Sequence, residues 1–161
     1  VAGIKHPYVQ DSNGTHSGTV IWFDPELDFA VVRVSNLAGK PLPIAKQVVT
    51  SGTAAAIVGY PGGGAFSAGP AAVLDSFTAS GRNIYGSGTT KRDVYEVQGN
   101  VIPGNSGGPL IDKNGTVIGV IFAESTSYKH VGYALTTPAV NDDIARALHR
   151  NQPADSGRCT D

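Results

Sequence analysis

Residues 101–112 read "VIPGNSGGPLID", and the fold turns on how this stretch is read. One hydroxyl, Ser106, stands between Gly104 and the pair Gly107-Gly108, with Pro103 and Pro109 outside them. Glycine lets the backbone take left-handed dihedrals and approach another group closely. A serine in so free a turn can project its oxygen while neighbouring N–H groups converge on one point. That is the arrangement of a nucleophile beside an oxyanion hole. The plainer alternative is a tight turn between two strands, and the rest of the chain has to decide.

The pattern G-x-S-x-G also marks the nucleophile elbow of α/β-hydrolases, which requires a helix straight after the serine. Here two glycines and a proline follow, then the apolar runs "PLI" (109–111) and "TVIGVIF" (116–122). Asn114-Gly115 between them predicts a hairpin with a type I′ turn, and Asn13-Gly14 is a weaker signal of the same kind. Working outward, "TVIWF" (19–23), "FAVVRV" (29–34), "AAIVG" (54–58), "AAVLDSF" (71–77), "DVYEVQ" (93–98) and "VGYALT" (131–136) continue the pattern. Short strands at this spacing predict a sandwich or barrel. One helix is predicted, in "TPAVNDDIARALHR" (137–150). Thr137 can cap it, Pro138 suits its first turn, and Asp142 and Asp143 lie near its positive end. Val140, Ile144 and Leu148 offer a docking face, whereas 151–161 carries no packing pattern and reads as a tail.

Composition narrows the function. A chain of 161 residues suits one domain. A net charge of −1 gives no footprint for nucleic acid. No apolar run approaches the ~18 residues of a membrane span. The single cysteine, Cys159, and the four histidines show no zinc spacing, so neither a metal nor a cofactor is expected. The glycine loop "GYPGGGAF" (59–66) lacks the Lys-Ser/Thr of a phosphate-binding loop, and 81–93 reads as a polar surface connection. Without a methionine, and with first residues unlike a signal peptide, the chain reads as a piece of a longer product.

An acid partner for Ser106 lies upstream, in "DPELDFAVVRV" (24–34). Asp24-Pro25 is ordinary turn chemistry. Asp28 instead stands at the mouth of the turn, directly before a run read as a core strand. A carboxylate held there can orient a histidine and stabilise its cation.

Together, "DFAVVRV", "PGNSGGPLID" and "GYALT" resemble the trypsin-like serine endopeptidases. The likeness is nearest to bacterial HtrA-type proteases and to actinobacterial membrane-anchored periplasmic proteases. The resemblance implies an all-β double barrel with a C-terminal α-helix. Residues 1–150 would form the protease domain without its N-terminal strands: 1–50 part of the first barrel, 51–136 a complete second barrel and 137–150 the helix, with 151–161 a tail. By position, Ser106 is the nucleophile, Asp28 the triad acid, and the N–H groups of Gly104 and Ser106 the oxyanion hole. Phe122, Ala123 and Glu124, within "IFAES" (121–125), match the strand that pairs with substrate backbone. Asn100, six residues before the serine, matches the position that sets specificity. The function implied is peptide-bond hydrolysis through a Ser-His-Asp triad and an acyl-enzyme, on protein or peptide substrates. A location outside the cytoplasm is implied too, with a membrane anchor upstream. The alternative is a peptide-binding module of the same fold without catalysis.

The resemblance implies that the triad histidine precedes Asp28 by about thirty residues, in a pattern like A-H-V-V-x-G. The chain opens "VAG", so that histidine is expected two residues before Val1, in a missing N-terminal segment. The strand 19–23 separates His16 from Asp28 by ~16 Å. His6 stays open as a substitute, through a hairpin at Asn13-Gly14. His130 and His149 follow the serine, in the wrong order. No further domain fits after residue 150, which favours the membrane-anchored group. Disulfides persist outside the reducing cytoplasm, so Cys159 is expected to pair with the N-terminal part, a bridge contributing ~2–4 kcal/mol. Mass spectrometry of the unreduced full-length protein checks this: a cross-linked peptide is expected, and a freely alkylated Cys159 rules it out.

Overall fold

β-Branched and aromatic side chains fit a pleated, half-buried surface, and the apolar runs do form strands. The computed structural model describes residues 1–160, with nine strands and one α-helix among them. They fall into two compact units: Val1–Pro41 with Gly81–Thr90 and the chain from Asn141 onward, and Leu42–Ser80 with Lys91–Val140.

In the first unit, β1 (Tyr8–Asp11), β2 (Gly14–Asp24) and β3 (Phe29–Val34) form an antiparallel sheet in the order β1-β2-β3. β1 was not legible in the sequence, because its four residues sit beside Pro7 with no apolar run. β2 and β3 meet at the turn predicted from Asp24-Pro25, where Asp24 Oδ1 accepts the N–H groups of Glu26 (2.7 Å) and Leu27 (3.1 Å). Val20 and Ile21 are buried, while β3 is half-buried rather than a core strand.

Asp11 fastens the β1–β2 hairpin. Its Oδ1 accepts the Asn13 N–H (2.7 Å) and meets His16 Nε2 (2.9 Å), and its Oδ2 accepts the Ala38 N–H (2.6 Å). The Ala38 N–H, then His16, hold this carboxyl down at about 2. Before β1 the chain continues along β2, with Gly18 donating to the Pro7 carbonyl (2.7 Å) and Val20 to that of Lys5 (3.0 Å). The reading of 151–161 as unpacked is corrected for its middle. Ala154 and Ser156 are buried, Ala154 N–H donates to the Val20 carbonyl (2.8 Å), and the Ser156 carbonyl accepts from Gly3 (2.9 Å). Small residues anchored through their backbone leave no hydropathy pattern. Cys159 is exposed and free, beside Gly3, and residue 161 lies outside the described residues.

In the second unit, β4 (Ala54–Gly59), β5 (Ser67–Gly81), β6 (Thr90–Gly99), β7 (Pro109–Asp112), β8 (Val117–Glu124) and β9 (Val131–Thr136) close a barrel in the order β4-β5-β6-β9-β8-β7. Closure removes the exposed strand edges that a flat sheet would present. Ile57, Val73, Tyr95, Val97, Leu110, Ile118 and Ile121 fill its interior. The buried Tyr95 hydroxyl is satisfied by the Val49 N–H at 2.8 Å. The β7–β8 turn differs from the expected type I′. Asp112 N–H bonds the Thr116 carbonyl (2.9 Å), and Gly115 has positive φ while Asn114 does not. A type I′ turn needs both, so the loop is a three-residue hairpin with glycine at its left-handed position. Asp112 Oδ1 holds it by accepting the Asn114 and Thr116 N–H groups.

The helix, α1 (Thr137–Leu148), is capped by Thr136 rather than Thr137: Thr136 Oγ1 accepts the Ala139 N–H at 3.3 Å. Its buried stripe runs through Val140, Asp143 and Ala147, and Leu148 is exposed. At 3.6 residues per turn, position 147 returns to the face of 140 and position 148 overshoots it by about 80°. Asp143 therefore points inward instead of complementing the helix dipole. Burial, then the charge of Asp24, push its carboxyl up, against the pull of the Trp22 indole and Arg146. A raised pKa favours the neutral form in the folded state, so this contribution is full in acid and lost as pH rises through the raised value. Asp143→Asn, uncharged at every pH, should be more stable than the parent at about pH 8, with the gap closing towards about pH 4. Asp11 acts oppositely, stabilising above 3.8 and losing its effect as pH falls towards 2. Chemical denaturation across pH measures both. A constant Asp143→Asn difference would contradict the assignment.

Candidate active site

Proline cannot continue a strand ladder and glycine can turn where other residues cannot, so the chain leaves β6 at Asn100 and re-enters the barrel only at Pro109. Between them runs the serine loop. Asn105 N–H bonds the Ile102 carbonyl (3.0 Å) and Gly108 N–H that of Asn105 (2.9 Å), making two consecutive tight turns. Gly104 has φ +97°, and a Cβ there would lie 2.5 Å from the Tyr60 carbonyl oxygen and 2.7 Å from the Gly62 nitrogen. Gly62 N–H bonds the Pro103 carbonyl (2.7 Å), so the turn after β4 seals one side of the loop. The other side is clamped to β8, with Gly107 N–H on the Ile121 carbonyl (2.8 Å) and Ile121 N–H on that of Gly108 (2.9 Å).

Ser106 is exposed at the crest between these two clamps. Among the described residues neither its N–H nor that of Gly104 has an acceptor. Asn105, between them, turns inward, is 5% exposed, and donates from Nδ2 to the Asn100 carbonyl at 3.3 Å. Asn105 was not singled out in the sequence, because nothing in "GNSGG" says which way its amide faces. It links the serine loop to Asn100, which itself is exposed and lines a cavity of about 410 Å³ with Gly69, Pro70, Gln98 and His130 among others. Phe122 and Ala123 are half-buried and Glu124 exposed, with a β-bulge in the β8–β9 register between Ile121 and Ala123. Gly132, on the facing strand, lets the Val101 side chain and the Ala123 carbonyl close in. The second unit therefore brings Asn100, Gly104, Ser106 and Phe122–Glu124 onto one connected surface.

Asp28 belongs to the first unit. It has φ +58°, an uncommon backbone conformation for a residue with a Cβ. Asp28 is exposed and lines a cavity of about 580 Å³ with Val1, Ala2, Ile4, Ile84 and Cys159. The antiparallel course along β2 brings Val1 and Ala2 to Asp28 and leaves His6 farther back, outside that lining. His16 pairs with Val9 at the other end of β2, ~26 Å from Asp24 at strand spacing. His130, also at positive φ, lends its carbonyl to Gly99 N–H (2.9 Å), and His149 is exposed at the end of α1.

Residues 3–120 match the model of a trypsin-like peptidase domain. The chain belongs to that family. It is 37% identical over 160 residues to the serine protease Rv3671c of Mycobacterium tuberculosis (strain ATCC 25618 / H37Rv), covering 99% of this chain and 40% of that protein. The crystal structure of the active form of Rv3671c superposes with a TM-score of 0.94 at 36% identity, over 100% of this chain and 71% of the other. An HtrA-type protease, AlgW, solved with a decapeptide, gives 0.73 at 26% identity over 92% and 46%. A probable periplasmic serine endoprotease, DegP-like, of Chlamydia pneumoniae is 29% identical over 142 residues, 85% of this chain and 28% of that protein. The chain thus spans about two fifths or less of these curated relatives. The closed barrel with its C-terminal helix is the trypsin-like fold expected from the sequence.

Gly104→Ala tests the seal between the serine loop and the turn after β4. The added methyl meets backbone, which cannot rotate away, and the left-handed φ is strained for alanine. A loss of stability of about 1–3 kcal/mol is expected. Chemical denaturation measures it, and unchanged stability would show that the close approach is dispensable.

Proposed function

We infer that the protein is a serine endopeptidase acting on protein or peptide substrates, with Ser106 as nucleophile. The observation that carries this is the exposed Ser106 on a doubly clamped loop, its own N–H and that of Gly104 without acceptors. Preorganised donors of this kind lower the barrier because they need no reorganisation as charge develops. Ser106 Oγ attacks the scissile carbonyl, and its proton passes to a histidine. The two N–H groups receive the oxyanion. Collapse breaks the C–N bond, the histidine returns the proton to the leaving amine, and water then hydrolyses the acyl-enzyme by the same steps in reverse order. Asp28 orients the histidine and stabilises its cation.

On this reading the histidine lies upstream of the chain, two residues before Val1. The support is the cavity shared by Val1, Ala2 and Asp28, which none of the four histidines lines. The decapeptide bound by AlgW supports a peptide substrate, and Phe122–Glu124 on β8 would pair with its backbone. The DegP-like relative's periplasmic name supports a location outside the cytoplasm. A membrane anchor in the N-terminal region is a further part of this proposal.

Specificity follows from Asn100. A basic P1 side chain buried against an amide would lack a charge partner, an unfavourable arrangement. An uncharged or apolar P1 is expected, and a peptide-library profile of the full-length enzyme dominated by Arg or Lys would contradict it.

The experiment that tests the whole reading is a fluorophosphonate probe on the full-length protein, with Ser106→Ala as control. Labelling lost in Ser106→Ala is expected. No labelling of the parent would favour a peptide-binding module. Residues 1–161 alone should turn over peptides about a million-fold more slowly, as expected for a serine without its base. Serine-dependent turnover of the short chain near the full-length rate would return the role to His6.

A further inference from the structure

Large aromatic rings are seldom left in water without a use when they stand together beside a site. Tyr60 and Phe66, at the two ends of the turn after β4, are 55% and 62% exposed. They stack edge to face, with centroids 5.9 Å apart and planes at 69°. Between them run Pro61–Gly63 and Gly64, the former a single 3-10 turn with positive φ at Gly62 and Gly63. Gly62, Gly63 and Gly64 have no side chain to shield the rings, and Pro61 and Ala65 have only small ones. The same turn is the one that abuts Gly104, through the Tyr60 carbonyl and the Gly62 and Gly63 nitrogens.

Direction along the site follows from the two clamps. The serine loop meets β8 just after Ser106, at Gly107 and Gly108, and meets the aromatic turn just before it, at Pro103 and Gly104. Along the loop, Ser106 therefore lies between the clamp to β8 and the contact with the turn that bears Tyr60 and Phe66. A peptide whose residues before the scissile bond pair with β8 would leave the serine on the side of Gly104, toward that turn.

We propose that the Tyr60–Phe66 pair is the subsite for the leaving-group side of the substrate, selecting an aromatic or aliphatic residue in the first two positions after the scissile bond. This deepens the peptidase reading and rests on it. The rings offer no charge, so an acidic or glycine residue there would gain nothing from the contact. Covering about half of one ring with an apolar side chain is worth on the order of tenfold in kcat/KM.

The test uses the full-length enzyme and internally quenched peptides identical up to the scissile bond, with Phe or Leu against Gly or Asp beyond it. A methyl ester with the same acyl part, having neither a residue nor a ring after the bond, serves as reference. The expected result is a preference of about tenfold for Phe over Gly. Phe66→Ser should bring the Phe-peptide-to-ester ratio of kcat/KM down by a similar factor, and Phe66→Leu should restore most of it. The parent contrast needs no variant, and can be read again from acyl transfer to phenylalanine amide against glycine amide. An active parent without that contrast, or a ratio unmoved in Phe66→Ser, overturns the subsite alone. A parent that hydrolyses neither peptide nor ester overturns the peptidase reading and this inference together.

Discussion

The seal between Gly104 and the turn at Tyr60–Gly63 is the constraint on which the rest of the serine loop depends. A side chain at position 104 would overlap backbone atoms, so only glycine lets the two turns touch. Their contact, with the Gly62–Pro103 hydrogen bond, fixes where the Gly104 N–H points. The second clamp, from Gly107 and Gly108 to Ile121, fixes the other end. A hydroxyl held between two such anchors has little freedom to move relative to its neighbouring donors, which is what preorganisation requires.

The barrel supplies the rigidity behind those anchors. β4 delivers the aromatic turn, β6 ends at Asn100, and β8 carries both the second clamp and Phe122–Glu124. Each of these strands is hydrogen-bonded into a closed order, so none can slide without breaking a ladder on both sides. Asn105 adds a cross-tie: by placing its amide inside, the loop connects the serine to Asn100 through one side-chain bond. The glycines permit the shape of the loop, and the barrel and this amide hold it.

Most of the strands were legible in the sequence because each carries a short β-branched run and the turns between them carry Asp-Pro, Asn-Gly or glycine signals. The turn-rich loop around Ser106 was legible for the same reason: three glycines and two prolines stand around one hydroxyl. What could not be read has several causes. The buried Ala154 and Ser156 are specified by backbone partners near the other end of the chain, β1 lacks an apolar run, and the inward amide of Asn105 is set by one side-chain bond to Asn100. No local periodicity records such contacts. The misplacement of the helix stripe at Leu148 has a different origin. Every fourth residue was taken as one face, and over eight residues that spacing drifts by most of a quarter turn.

Two aspartates at turns stand in different environments. Asp112 spends its carboxylate on its own hairpin, accepting the Asn114 and Thr116 N–H groups, and the Thr116 bond above all holds it below the usual carboxylate range. Its purpose is discharged within four residues of itself. Asp28 stands in an equally ordinary sequence position, at the exit of a turn before a strand. Yet its backbone is held at positive φ, and it is exposed to a cavity whose other walls come from Val1, Ala2, Ile84 and Cys159, far apart in sequence. Turn chemistry alone would be satisfied by asparagine or glycine at a left-handed position. An aspartate in the left-handed region, exposed at a space assembled from both ends of the chain, is the observation on which the proposal of Asp28 as partner to a histidine rests.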